Sequence, residues 1–280
     1  MSATAAGANY SVRSKTKTIS VTSGKGGVGK TTLISNLALA LSLQGNRVLV
    51  LDGDLGMANV DVMFGLRVTR TLETVLAGEC ALHDVIVEVA PNVFLIPGGS
   101  GVYGLQNLSI HQKKMLLDQV SELNDRYDYM LIDTASGIDD NVLYLNSAAQ
   151  ETLVVVTAEP ASLTDAYALI KVLNKKLNEQ KFSIVANMVQ DESEALAIYR
   201  RLSDVANRFL CVSLDYKGFI PNDSNLRLAT KAQQLVVRSQ PRAPSSYAIQ
   251  MLCEKISHSN GLAAIKGGMQ FFWEQIVGVA

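Results

Sequence analysis

The chain has 280 residues, 48% of them apolar and 18% charged, with a formal net charge of −1. That length allows one large domain or two small ones around a substantial core. Near-neutral charge removes any global case for nucleic-acid binding and leaves room only for a local basic patch. Cys80, Cys211 and Cys253 have no C-x-x-C spacing, which counts against a disulfide framework and fits a reducing, cytoplasmic compartment. No apolar run reaches the roughly 18 residues that cross a bilayer, and residues 1–17 lack a signal-peptide core.

In chain order, residues 1–17 are small, polar and mildly basic, with Arg13, Lys15 and Lys17, and read as a disordered leader. From residue 18 onward apolar β runs alternate with longer helical patterns, the signal of a parallel sheet covered on both faces. Strands are predicted at 18–23, 47–52, 93–97, 129–133, 152–157, 182–187 and 212–220. The fold class is therefore α/β in three layers, a mainly parallel twisted sheet of about seven or eight strands flanked by helices. No linker interrupts residues 18–258, which form one domain. Residues 259–280 are a link and a short amphipathic helix.

The first strand leads into residues 24–31, which fit G-x-x-x-x-G-K-[ST], and then into an Ala/Leu-rich helix. Around Gly26, Gly27, Val28 and Gly29 the backbone N–H groups can converge on a phosphate, and the helix start at Lys30, Thr31 and Thr32 adds its dipole. Lys30 would reach the β- and γ-phosphate oxygens, and the Thr31 hydroxyl would hold Mg²⁺. A second lysine, Lys25, is not required by such a loop. From the residues alone it is a solvated charge or a cation used elsewhere.

The second strand ends in Asp52-Gly53-Asp54, two carboxylates on one side of an extended chain. In an open α/β sheet that places them beside the phosphate loop, where they suit Mg²⁺-shell and water-positioning roles. The 129–133 run closes on Asp133, a position that can hold an Mg²⁺-bound water. Residues 97–101 are Gly-rich but lack the Lys-Ser/Thr pair, so they form a loop and no second phosphate site. Ser162 or Thr164 is expected to cap an amphipathic helix. His83 and His111 read as structural or surface residues. The 182–188 strand carries Asn187, whose amide either matches an adenine edge or satisfies local backbone. Residues 269–277 place Met269, Phe272, Trp273, Ile276 and Val277 on one helical arc of roughly 140°.

Several phrases together carry a resemblance: K-G-G-V-G-K-T at 25–31, D-G-D-L-G-M-A-N-V-D at 52–61, D-T-A-S-G-I at 133–138, E-P-A-S-L-T-D-A-Y-A-L-I-K at 159–171 and I-P-N-D at 220–223. They resemble the deviant Walker A ATPases of the MinD/ParA group and, within it, the flagellar-number regulators FlhG/FleN, from about residue 18 onward. The resemblance implies a slow, Mg²⁺-dependent ATPase that forms a homodimer on ATP, with each Lys25 crossing to the other chain's phosphates. It implies that Asp54 orients the attacking water and that Thr31, Asp52 and Asp133 serve the metal. It further implies that Asn187 reads adenine, that Pro221 and Asp223 pack against it, and that Glu159 lies at the dimer interface. Ser136 stands where the family commonly has alanine, a conservative departure.

The implied output is control of flagellar number or placement, through a flagellar GTPase, a flagellar transcriptional activator or switch-complex proteins. The leader lacks the D-Q-A-x-x-L-R phrase with which many FlhG proteins stimulate the GTPase. For residues 269–277 the resemblance implies reversible membrane contact at the inner face of the cell membrane. With only Lys266 nearby and Glu274 facing the headgroups, docking on its own domain or on a partner is the competing expectation. A ParA-type ATPase positioning DNA or other cargo is the alternative function. Leu55 in place of the D-x-D-P-Q-G proline and the neutral charge count against it, so no direct DNA binding is expected. A nucleotide-gated metal or electron carrier would need paired cysteines, which are missing.

Overall fold

The computed structural model describes residues 16–54, 60–99, 101–123, 126–258 and 267–279. Residues 1–15 of the leader, the 55–59 stretch after Asp54, Ser100 and the 259–266 link lie outside the described residues. One eight-stranded sheet organises the rest, built from β1 (Lys17–Ser23), β2 (Val48–Gly53), β3 (Val87–Ala90), β4 (Val93–Pro97), β5 (Tyr129–Ser136), β6 (Glu151–Val156), β7 (Lys181–Val189) and β8 (Ser213–Pro221). The spatial order is β3-β4-β2-β5-β1-β6-β7-β8. Every neighbouring pair is parallel except β3 with β4.

The helices that matter below are α1 (Lys30–Leu43), α2 (Val60–Met63), α3 (Ile110–Ser121), α4 (Asp140–Ala148), α5 (Pro160–Leu177), α6 (Glu192–Phe209), α7 (Ser224–Lys231), α8 (Pro244–His258) and α9 (Met269–Ile276). Alternation along β2 shows how the layers form. Val48 and Val50 enter the core shared with α1 and α8, whereas Leu49 and Leu51 enter the core shared with α3, α4 and α9. A strand buried on both faces reads as a continuous apolar run, which is why the central strands were visible in the sequence.

Three details depart from the sequence reading. Strand β3 was not predicted: Val87–Ala90 is short and only half-covered, as edge strands are. The sheet begins at Lys17, so the leader ends sooner than expected. Thr16 Oγ1 donates to the Tyr127 carbonyl at 2.8 Å, and Lys17 pairs with Glu151 at 3.0 Å while donating to the Ile256 carbonyl at 2.8 Å. Helix α5 begins at Pro160 with Glu159 as N-cap, earlier than the Ser162 or Thr164 cap, because proline suits the first helical position. Ser162 Oγ instead accepts from the Thr157 N–H at 3.0 Å.

The other edge is blocked by chemistry. The β7–β8 pairing skips from Ile184↔Tyr216 to Val185↔Gly218, and Gly218 takes φ 132°, a conformation open to glycine. The bulge leaves Lys217 buried, with its ammonium 2.8 Å from Asp215 and 3.5 Å from Glu151. A bulge and an inward charge discourage further strands from adding to an edge.

In this structure helix α9 adopts one of the alternatives left open for residues 269–277. Met269, Phe272, Trp273, Ile276 and Val277 are all buried, packed with Leu116 and Val120 of α3 and Leu145 and Ala148 of α4. The apolar arc is docked on its own domain. Among the described residues, Trp273 Nε1 and Gln270 Oε1 are buried without hydrogen-bond partners, so the fit is good in shape and poor in polar pairing, at about 1–3 kcal/mol per orphaned group. Trp273→Ala is expected to lower unfolding stability by up to about 3–5 kcal/mol, the usual cost of a large buried aromatic. Urea unfolding followed by circular dichroism checks this. An unchanged midpoint would mean that α9 does not hold this groove in solution.

Candidate nucleotide site

Three strand ends and one helix start meet at the C-terminal edge of the sheet. β1 turns after Ser23 into the glycine loop, and α1 starts at Lys30 with Gly29 as N-cap at φ 90°. Any side chain at Gly29 would also collide with Asn187, whose Nδ2 lies 2.5 Å from where a Cβ would sit. Gly24 is equally constrained, because its Cβ would lie 2.1 Å from the Asp165 carbonyl carbon of α5. These positions need glycine so that loop, helix and strand can touch.

Lys30 is buried, and its ammonium donates to Ser23 Oγ at 3.1 Å. Burial lowers its pKa, while the Asp133 and Asp54 carboxylates pull it back up. Ser23 Oγ also donates to the Lys25 carbonyl at 2.7 Å, so one hydroxyl ties the loop start to its key cation. Sequence reasoning missed Ser23. Its place immediately before the loop's first glycine was the available signal.

Asp52 and Asp133 stand opposite each other in the β2–β5 register, 2% and 1% exposed. Burial, then the other carboxylate, raises Asp52 to about 7. Burial likewise raises Asp133 to about 7, against the opposing pull of the Thr31 hydroxyl and Lys30. Asp52 Oδ1 accepts from the Asp54 N–H at 3.3 Å and Oδ2 from the Val60 N–H at 3.2 Å, so it ties together both ends of the 55–59 stretch. Neither Asp133 oxygen has a hydrogen-bond partner among the described residues. Two buried oxygens without donors, next to a threonine hydroxyl, are the hard-oxygen set that Mg²⁺ takes. Asp54 lies half-buried beside them, close enough to act electrostatically on Lys30, Asp52 and Asp133.

The structure brings together Lys25, Gly26, Gly27, Val28, Gly29, Lys30, Thr31, Asp52, Asp54 and Asp133 at this edge. Other predicted residues are engaged in support. Asn187 Nδ2 donates to the Val28 carbonyl at 2.7 Å, and its Oδ1 accepts from the Met188 N–H at 2.9 Å. It thus satisfies local backbone here and keeps one amide hydrogen. Pro221 closes β8. Asp223 caps α7 by accepting from the Asn225 N–H at 2.8 Å, and accepts from Ser245 Oγ at 2.7 Å and Ser245 N–H at 3.1 Å. Burial pushes its carboxyl up, but these hydrogen bonds outweigh that and hold it below the usual carboxylate range. Asp223 therefore positions the loop after β8 rather than offering a free group. Ser136 Oγ lies 3.4 Å from where a Gly26 Cβ would be, which places the extra hydroxyl of this loop against the phosphate loop. His83 is exposed and lies beside Asp84, His111 is exposed, and no group of three or more His, Cys, Asp or Glu side chains spaced to hold a metal occurs among the described residues.

Residues 16–185 match a family described as an AAA domain. The antiactivator FleN of Pseudomonas aeruginosa is 43% identical over 259 residues, 92% of each chain. The chain is a MinD/ParA-family ATPase of the FleN/FlhG kind. The flagellum site-determining protein YlxH of Helicobacter pylori is 34% identical, covering 95% of this chain and 91% of that protein. Among solved structures, the MinD of Pyrococcus horikoshii complexed with Mg-ADP has a TM-score of 0.69 at 30% identity, over 89% of this chain and 99% of that one. As a member of this family the protein is an ATP hydrolase that uses nucleotide with Mg²⁺. Its site has a buried lysine, two buried carboxyls and glycines at close backbone approach, which such chemistry needs. Among the described residues no helix is long and apolar enough to cross a membrane.

Proposed function

We propose that this protein is an ATP-timed switch controlling flagellar number or placement, whose working unit is a dimer with two nucleotides in its interface. One observation carries the reading. The loop holds two lysines in different settings: Lys30 is buried inside the site, whereas Lys25 stands at the open face with its side chain 37% exposed. Lys30 alone lies inside the site, and Lys25, paired with Glu159 at the exposed face, is placed where a second chain could draw it across.

In this reading the glycine-loop N–H groups bind the phosphates and Lys30 neutralises their β- and γ-oxygens. Thr31 and Asp133 would hold Mg²⁺ and Asp52 would support them, the ion supplying charge neutralisation at the transferring phosphoryl group. Asp54 accepts a hydrogen bond from the attacking water and orients it. Lys25 of the facing chain adds positive charge that one chain alone does not place there. Asn187, through its remaining amide hydrogen, and Pro221, with Asp223 behind it, would border the adenine. Residues 1–15 would form a leader, 16–258 the ATPase domain and 259–280 the link and terminal helix.

The output would pass to a flagellar transcriptional activator, to switch-complex proteins or to a flagellar GTPase. The first is supported by the antiactivator relative and the placement role by the site-determining one. Membrane contact through residues 269–277 would require α9 to leave its groove. Liposome sedimentation with and without residues 266–280 tests this, and equal sedimentation of the two forms removes it. The ParA-type alternative predicts ATP-dependent, salt-sensitive binding to non-specific DNA.

Size-exclusion chromatography with ADP and with ATP tests the dimer. Wild type is expected to double its mass only with ATP, and Lys25→Ala to remain a monomer with either nucleotide while still binding ATP. A monomer in every condition would sink the proposal.

A further inference from the structure

Lys25 is not idle in the single chain. Its ammonium forms an ion pair with Glu159 of the same chain. The fold brings the two together from both sides. Glu159 is the N-cap of α5, and the first turns of that helix press on the loop so closely that a Cβ on Gly24 would overlap the Asp165 carbonyl. On the loop side, the Lys25 carbonyl is held by Ser23 Oγ at 2.7 Å. Both backbones are therefore anchored, and the side chains meet at the exposed face where a second chain would dock.

One ammonium cannot hold Glu159 within its own chain and also reach a partner's phosphates. We propose that Glu159 is an autoinhibitory latch, keeping Lys25 in cis until ATP in a facing chain competes it away. It thereby sets the protein and ATP concentrations at which two chains pair. This rests on the dimer reading above and adds its threshold. A half-exposed ion pair is weak, but a dimer opens two of them, so removing the carboxylates should tighten pairing by about two- to tenfold. The opposite arrangement, in which Glu159 helps to hold the partner's nucleotide, makes the opposite prediction: removal weakens the dimer.

The test uses the full chain carrying Asp54→Ala, so that bound ATP persists, and compares it with Asp54→Ala/Glu159→Gln. Sedimentation over a range of protein concentrations with Mg²⁺ and ATP gives the dimer dissociation constant for each. The latch predicts a two- to tenfold lower constant with Glu159→Gln. In parallel, acylation of Lys25 by an amine-reactive reagent, read by mass spectrometry on the ADP-bound monomer, should be faster with Glu159→Gln than with Glu159 intact. An unchanged or higher dissociation constant overturns the latch, as does unchanged Lys25 labelling. If the Asp54→Ala parent itself stays monomeric with ATP, the dimer reading falls and the latch with it, so the two failures are told apart by the parent alone.

Discussion

Asp54→Ala is expected to lower ATP turnover by roughly two to four orders of magnitude, the usual contribution of a positioned proton acceptor, while ATP affinity changes little. The reason lies in the division of labour among three carboxylates. Asp52 and Asp133 are buried and face each other across β2 and β5, so they can act only on groups already in the site. Asp54 follows β2, is half-buried, and lies within electrostatic reach of Lys30, Asp52 and Asp133. It is thus the one carboxylate of the three that solvent still reaches. A residue there can touch a water and the γ-phosphate, yet contributes little to holding the ground-state nucleotide. Single-turnover hydrolysis and equilibrium nucleotide binding separate the two roles. If binding fell as steeply as turnover, Asp54 would belong to the metal site. If neither changed, the Asp-Gly-Asp would be only a turn.

Much of this site was legible because its residues sit at strand ends, where local pattern and position coincide. Asp52 and Asp133 each close an apolar run, and the phosphate loop follows another. The strand order that brings those ends together was not legible. It depends on β5 pairing between β1 and β2, a long-range choice made by layer packing. What the sequence missed or left open shares a cause. β3 is too short and too exposed to show a pattern of its own. Asp223 was expected beside the adenine through the I-P-N-D resemblance, and its hydrogen bond to Ser245, 22 residues on, could not be read from that phrase. The arc of α9 was visible, but amphipathicity tells that a helix buries one face and not what covers it. Glu159 was expected at an interface. That it meets Lys25 within one chain follows from how tightly α5 rests on Gly24, a contact no spacing rule encodes.

The second large effect is a stability that falls as pH rises. Asp52 and Asp133 are each held near 7 in the folded chain against an ordinary value of 3.8. A carboxyl whose folded pKa is raised keeps its proton longer when folded than when unfolded. Folding is therefore favoured at low pH and loses stability as pH climbs from about 4 to about 7, after which the loss is complete. Three units on one group correspond to about 4 kcal/mol, and because the two carboxylates interact, the pair should be read as a few kcal/mol in total. Glu151 and Asp223 work in the other direction, since their folded pKa values are lowered. Their stabilisation is lost only as pH falls through values below those of free carboxyls, outside the window of interest. Urea midpoints of the nucleotide-free protein should therefore drop steadily between about pH 4.5 and 7 and level off above that. Asp52→Asn should flatten that slope, by removing one acid and easing ionisation of the other. Mg²⁺ with ADP should flatten it too, because a cation beside Asp133 favours its charged form, and binding at pH 6.5 should release protons into weakly buffered solution. A midpoint independent of pH in the wild type, or a slope unchanged by Asp52→Asn, would show that these two carboxyls are ionised in the empty site and that something other than Mg²⁺ balances them.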